Sequence, residues 1–200
     1  MEIRTLVTGT YGSNCYIVMD DNTKEAVVID PGGDVDDIIK DIDTIGAKVK
    51  YIILTHGHLD HTSGVAELKN ITKAVVCMNK EDDELITQGV NLFGPLIKGG
   101  AEKLLKHGDI IKISNLEFAC IDTPGHTPGG MSFLIENCVF TGDTLFAGSI
   151  GRTDLTGGDF NTIITSIKSN LLCLTGDTIV YPGHGPCSTI NNEKLNNPFL

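Results

Sequence analysis

Apolar residues along this chain fall in short runs separated by polar or glycine-containing stretches, with a few longer segments between them. Three runs near the start, Ile3 to Val7, Asn14 to Met19 and Ala26 to Ile29, read as strands. A helix is predicted from Val35 to Ile45, with Asp34 as its N-cap and Gly46 as its stop. Val49 to Leu54 predicts the next strand, and Thr62 to Leu68 a helix that starts inside the loop after it. Residues 79 to 87 read as helical, and the stretch 89 to 100, with glycines at 89, 94, 99 and 100, as a loop. Four strands are expected between Ile110 and Phe140. Asp159 is placed to cap a last long helix, Phe160 to Leu171, ahead of a final strand from Thr178 to Tyr181. This mixed order excludes a simple βαβ repeat. It predicts an α/β (α+β) architecture of two facing sheets with helices on the outer faces.

The polar residues at the ends of the apolar runs carry the chemistry. After Tyr51-Ile52-Ile53-Leu54 comes Thr55-His56-Gly57-His58-Leu59-Asp60-His61, three histidines and an aspartate in seven residues. Imidazole and carboxylate suit zinc, iron or manganese, and a tight loop lets neighbouring side chains diverge toward two ions. Gly57 is expected to supply the backbone turn between the histidines. No packing or turn rule calls for such a run. Three further apolar runs end in polar residues: Phe118 to Asp122 leads to His126, Val139 to Gly142 ends at Asp143, and Thr178 to Tyr181 leads to His184. In layered α/β folds ligands bind in the crevice outside the carboxyl ends of the strands, so these residues can gather with the first run. The glycines and prolines from Thr123 to Gly130 are expected to aim His126.

Composition narrows the class. With 200 residues and 40% apolar content the chain can build one core, and it shows no linker, repeat or low-complexity tract, so a single domain spanning 1–200 is expected. A net charge of −11 disfavours phosphate-backbone binding, so no nucleic-acid partner is expected. No run approaches the length needed to cross a bilayer, and Met1-Glu2-Ile3-Arg4-Thr5 does not open like a signal peptide. No membrane partner and a cytoplasmic location are the corresponding expectations. The six cysteines are scattered without CxxC pairing, so no disulfide framework is expected, and Cys187, three residues past His184, is left out of the site.

The ordered set of HxHxDH, His126, Asp143 and His184 resembles the metallo-β-lactamase superfamily. The resemblance runs from Asn14-Cys15-Tyr16-Ile17 and Ile29-Asp30-Pro31-Gly32 to Asn197-Pro198-Phe199-Leu200. Within the superfamily the chain looks most like the glyoxalase II group in a short form, ending 16 residues after His184, without the C-terminal helical segment of the classical enzymes. The resemblance implies an αββα sandwich and two divalent metal ions, zinc first, with iron or manganese as alternatives. It implies that His56, His58 and His126 hold one ion, that Asp60, His61 and His184 hold the second, and that Asp143 bridges them. It further implies hydrolysis of a small-molecule hydroxyacyl thioester, with Asp60 and Asp143 serving the attacking hydroxide and Arg152 contacting the thiol carrier. Asp154 stands where the classical enzymes have a tyrosine, and Gly185-Pro186 also departs from their pattern, which leaves the carrier open.

Class B β-lactamases are set aside because they lack a histidine where His61 stands, and flavodiiron proteins because they carry a glutamate at His58. Nuclease branches are set aside on chain length and charge. The rival readings are a one-iron persulfide dioxygenase, a lactone or other ester hydrolase, and a non-catalytic binding scaffold. Asp30, at the end of a strand, reads equally as a turn residue or as a support for a ligating histidine, and His107 reads as a turn residue without chemistry.

Overall fold

In the computed structural model, which describes residues 1–200, strand β1 (Glu2–Thr8) pairs antiparallel with β2 (Ser13–Met19). Alternation along β2 sets the layers: Tyr16 and Val18 face the second sheet, whereas Cys15, Ile17 and Met19 face helices. Strand β3 (Glu25–Ile29) is antiparallel to β2, and the parallel strands β4 (Lys48–Ile53), β5 (Val75–Asn79) and β6 (Lys103–Leu105) complete the first sheet in sequence order. Its outer face is covered by α1 (Val35–Ile45) through Val35, Ile38 and Ile42 and, beyond the short α2 (Leu59–Thr62), by α3 (Val65–Thr72) through Val65 and Leu68. Each such aliphatic side chain removed from water contributes roughly 1.5–3 kcal/mol before entropy is counted. The next helix, α4 (Lys80–Thr87), follows β5 directly.

The second sheet is a meander extended by one crossover. Strands β7 (Ile110–Ile113), β8 (Leu116–Asp122), β9 (Met131–Ile135) and β10 (Cys138–Gly142) pair antiparallel in turn. A small hairpin, β11 (Leu145–Phe146) and β12 (Ser149–Ile150), and helix α5 (Phe160–Ser166) precede β13 (Ile179–Pro182), which pairs parallel to β10. The edge strand β14 (Ser188–Thr189) leads into α6 (Ile190–Asn196). Phe118, Phe133 and Phe140 fill the space between the sheets opposite Tyr16, and the Tyr16 and Phe140 rings meet edge to face at 5.0 Å. Ile163, Ile167 and Ile190 cover the outer face of the second sheet. The αββα arrangement expected from the order of elements is the one observed.

Several local expectations differ from the structure. Asp34 stands at the N-terminus of α1 in a left-handed conformation (φ 48°), and its carboxylate accepts from the Gly9 N–H at 2.8 Å instead of capping the helix. The helix expected over 62–68 is two helices, because the chain bends at Ser63-Gly64, where the Gly64 N–H donates to the Pro31 carbonyl at 2.8 Å. Asp159 does cap α5, accepting from the Thr162 N–H at 2.7 Å, but beyond Ser166 the chain continues as a π-helical turn, Ile167–Leu171. All six cysteines are free thiols. No helix is long and apolar enough to cross a membrane.

Candidate metal centre

The carboxyl ends of β4, β8, β10 and β13 open on the same edge of the sandwich, and each continues into a segment that carries predicted donors. After β4 the backbone of Thr55 is pinned by Asp30: its N–H and its hydroxyl both donate to that carboxylate, at 2.7 and 2.5 Å. The next residues then project inward. His56, His58 and His126 converge with their ligand atoms within 4.8 Å of one another, and so do Asp60, His61 and His184. His58 Nδ1 and His126 Nε2 are 2.9 Å apart. The Asp143 carboxylate stands between the two triads, with Oδ1 3.4 Å from His61 Nε2 and Oδ2 3.5 Å from His126 Nε2 and 3.7 Å from His184 Nε2. The structure thus brings all seven predicted donors together.

Hydrogen bonds on the far side of the rings fix their orientation. His126 Nδ1–H donates to the Arg152 carbonyl at 2.7 Å, and His61 Nδ1–H to Asp30 at 3.0 Å. Asp30 thus orients the His61 ring, the contact its second sequence reading requires. The Thr55 hydroxyl lies 3.0 Å from His56 Nδ1 and links the same carboxylate to a second histidine. On the inner side, His56 Nε2, His61 Nε2 and Asp143 Oδ1 are buried without any hydrogen-bond partner, as is His58 Nε2 beside Phe93. A buried polar atom left unpaired costs about 1–3 kcal/mol. Three such atoms facing one space fit a set of metal donors.

Burial drives the His56 imidazole well below its ordinary value and His58 down to about 4, so both are neutral and able to ligate at pH 7. Burial also opposes charge on His61, but Asp143 and Asp30 outweigh it and raise that imidazole. The hydrogen bond to Asp60, at 3.2 Å, raises His184. For Asp143 the penalty of burial is overcome by His61, His126 and His184, which hold its carboxyl far below the usual range.

The centre lies at the base of a cleft of about 570 Å³ whose apolar wall is formed by Tyr11, Leu59, Leu92, Phe146, Ile150 and Leu155. Arg152 also lines the cleft, but its guanidinium is engaged: Nε and Nη2 donate to the two oxygens of Asp154, each at 2.7 Å. The departure at Asp154 noted in the sequence therefore bears directly on Arg152. His107 accepts from the Asp122 N–H at 3.2 Å in a turn. Cys187 is exposed, and partial burial pushes its thiol up, away from thiolate.

Two fully buried carboxylates escaped the sequence reading. Asp82, fully buried, accepts the Gly57 and Gly129 N–H groups, each at 2.7 Å. Glu193, also fully buried, accepts from the Gly148 N–H and Asn197, each at 2.8 Å, and from Ser188. Asp82 hides in the charged run Lys80-Glu81-Asp82-Asp83-Glu84. The signal that could have found it is its spacing, three and four residues before Leu85 and Ile86, which puts it on the apolar side of the helix.

A family model for the metallo-beta-lactamase superfamily matches residues 8–184. The hydroxyacylglutathione hydrolase GloC of Haemophilus influenzae is 37% identical to the chain over 209 residues, covering 100% of this chain and 98% of that protein. Among solved structures, the BLEG-1 B3 metallo-beta-lactamase superposes with a TM-score of 0.91 at 33% identity, covering 100% of this chain and 99% of the other. TTHA1623 in a di-iron-bound form superposes with a TM-score of 0.83 at 32% identity over 98% and 100% of the two chains. The likeness to a B3 enzyme withdraws the exclusion of class B β-lactamases drawn from His61.

Proposed function

The chain is a metallo-hydrolase of the metallo-beta-lactamase superfamily, and on that premise we propose that it hydrolyses a hydroxyacyl thioester at a two-metal centre. His56, His58 and His126 would hold one divalent ion and Asp60, His61 and His184 the other, with the Asp143 carboxylate standing between the two triads. The observation that carries this reading is the convergence of seven donors from four strand ends around buried ligand atoms that have no other partner. Two ions bound there would supply a water of near-neutral pKa and polarise the substrate carbonyl. Zinc is the first candidate, and the likeness to a protein solved in a di-iron-bound form supports iron as the alternative.

The protein's own groups do the rest. Asp60, on the rim of the cleft beside His184, is placed to accept a hydrogen bond from the attacking water and orient it. The apolar wall receives the acyl group and keeps bulk water from the reacting carbon. Every histidine lining the cleft belongs to the donor set, so no imidazole stands free as a general acid. A thiolate leaving group, with a pKa of about 8.5, departs without one. That match favours a thioester over an amide. The likeness to a B3 enzyme supports a second reading, β-lactam hydrolysis on the same donors.

The test is turnover of the chain reconstituted separately with zinc and with iron, using lactoyl thioesters, a lactone, a β-lactam and a persulfide. Thioester hydrolysis with about two ions per chain is the expected result. A single bound iron with oxygen uptake on the persulfide, and no hydrolysis, would replace the proposal with the dioxygenase. Preferential turnover of the β-lactam would replace it with the second reading.

A further inference from the structure

The two triads of donors share Asp30, which touches His61 directly and His56 through Thr55, but each also has supports of its own. Asp82 lies at the third position of α4, a helix whose start is fixed by the Asn79 side chain accepting from the Glu81 N–H at 2.8 Å. One of its oxygens takes the N–H of Gly57, which sits between His56 and His58, and the other takes the N–H of Gly129, three residues past His126. Both glycines pack against it with no space to spare. A Cβ on Gly57 would lie 2.9 Å from the Phe93 ring and 3.2 Å from Asp82 Cβ, and one on Gly129 would lie 2.7 Å from both Asp82 N and Oδ1. Gly57 is thus required for this close approach, and its φ is not positive, which corrects the expectation that it makes a turn.

Nothing in the other triad touches Asp82. The Asp60 carbonyl accepts from the Ser13 hydroxyl at 2.6 Å, and His61 leans on Asp30. The segment carrying His184 is held by Asn14, which donates to the Pro182 and Gly185 carbonyls at 3.0 and 2.9 Å, and by the Tyr16 hydroxyl, which donates to Pro182 at 2.6 Å. One buried carboxylate therefore clamps the loop after β4 to the loop after β8, and these two loops share donors only in the triad of His56, His58 and His126.

We infer that Asp82 is a positioning residue for that metal position alone, so that the two positions of the centre can be disabled separately. The inference rests on the metal-centre reading above. A metal site tolerates little displacement of its ligands, and loss of an outer support typically weakens metal binding about 10–100-fold. Asp82→Asn keeps the side-chain volume and one carbonyl acceptor but turns an NH2 toward the second N–H group, so it opens one of the two links while preserving the packing of α4.

The experiment is calorimetric titration of metal-free protein with zinc alone, on wild type, Asp82→Asn, His184→Ala and the double variant, each checked for native circular dichroism. Wild type should bind about two ions, and His184→Ala should keep only the Asp82-supported position. Asp82→Asn should keep one position at wild-type affinity and weaken the other by about 10–100-fold, and the double variant should bind no ion tightly. Gly129→Ala, which presses on the same contact and leaves the carboxylate in place, should reproduce the loss. Equal weakening of both positions by Asp82→Asn, or two unchanged positions, would overturn the inference while leaving the hydrolase reading intact. A wild-type chain that binds no zinc would sink the inference together with the metal-centre reading it rests on. No turnover is needed for any of these outcomes.

Discussion

His56, His58 and His126 form a triad of imidazoles that are at most 5% exposed, whereas in the neighbouring triad the Asp60 and His184 side chains are 21% and 29% exposed around a fully buried His61. The difference is electrostatic as well as steric. In the first triad burial holds His56 and His58 neutral, the form that ligates. In the second, carboxylates raise His61 and His184 toward the protonated form, so an ion entering there must displace protons. His56 and His58 are therefore ready to bind at neutral pH without proton release, whereas the open triad faces the cleft at the cost of competing with protons.

Three measurements break or sharpen that contrast. The largest effect should come from Asp143→Ala, which removes the carboxylate standing between the two triads. Turnover should fall by about a thousandfold or more, and both positions should lose affinity, with Asp143→Asn retaining part of the metal through its neutral oxygen. If the alanine variant kept full activity with two ions bound, the bridging role would be lost.

A smaller effect is expected from pH. Because His61 and His184 are raised, zinc affinity of the second position should fall as pH drops below their raised values, about tenfold per unit for each proton displaced. At the first position His56 and His58 should add little to this dependence until pH nears the value of about 4 at His58. In metal-free protein the signs follow by linkage. The raised His61 and His184 favour folding below the ordinary value of 6.5, a gain lost as pH rises through their raised values. The lowered His56 and His58 favour folding above 6.5, a gain lost as pH falls toward 4. Zinc titrations from pH 8 to 5 in which both positions weakened in parallel would erase the contrast.

The smallest effect should come from the rim. Arg152 and Asp154 are exposed and bound to each other, outside both triads. Arg152→Ala should leave metal content unchanged, since the Arg152 group that orients His126 is its backbone carbonyl. Freeing the guanidinium with Asp154→Asn should raise kcat/KM for a carboxylate-bearing thioester by about fivefold and leave a neutral thioester unaffected. No change with either carrier would remove Arg152 from substrate binding.

Much of this centre was legible in the sequence because its donors sit where apolar runs stop. Thr55 to His61, His126, Asp143 and His184 each follow a run whose composition already reads as a strand, and strand ends on one edge of a layered fold meet in space. The supports were harder to see. Asp82 is one carboxylate in a run of charges that reads as a solvated face, and Glu193 belongs to a helix of seven residues preceded by a strand of two. Elements that short, including β6, β11 and β12, carry too few residues to show a period. The break between α2 and α3 was hidden for another reason. It depends on the distant Pro31 carbonyl, a tertiary contact that no local pattern encodes.

Glu193 has a consequence for how this pocket could diversify. Its carboxylate reaches from α6 to the Gly148 N–H, and Asn197 donates to the Ser149 carbonyl at 3.0 Å, so the last helix holds the hairpin that presents Phe146 and Ile150 to the cleft. Substitutions along α6 can thus tilt or loosen one wall without altering any donor. Selection has here a dial for substrate preference that lies outside the donor set, and a library randomised at Asn192, Asn196 and their neighbours would explore new substrates while every donor residue is kept.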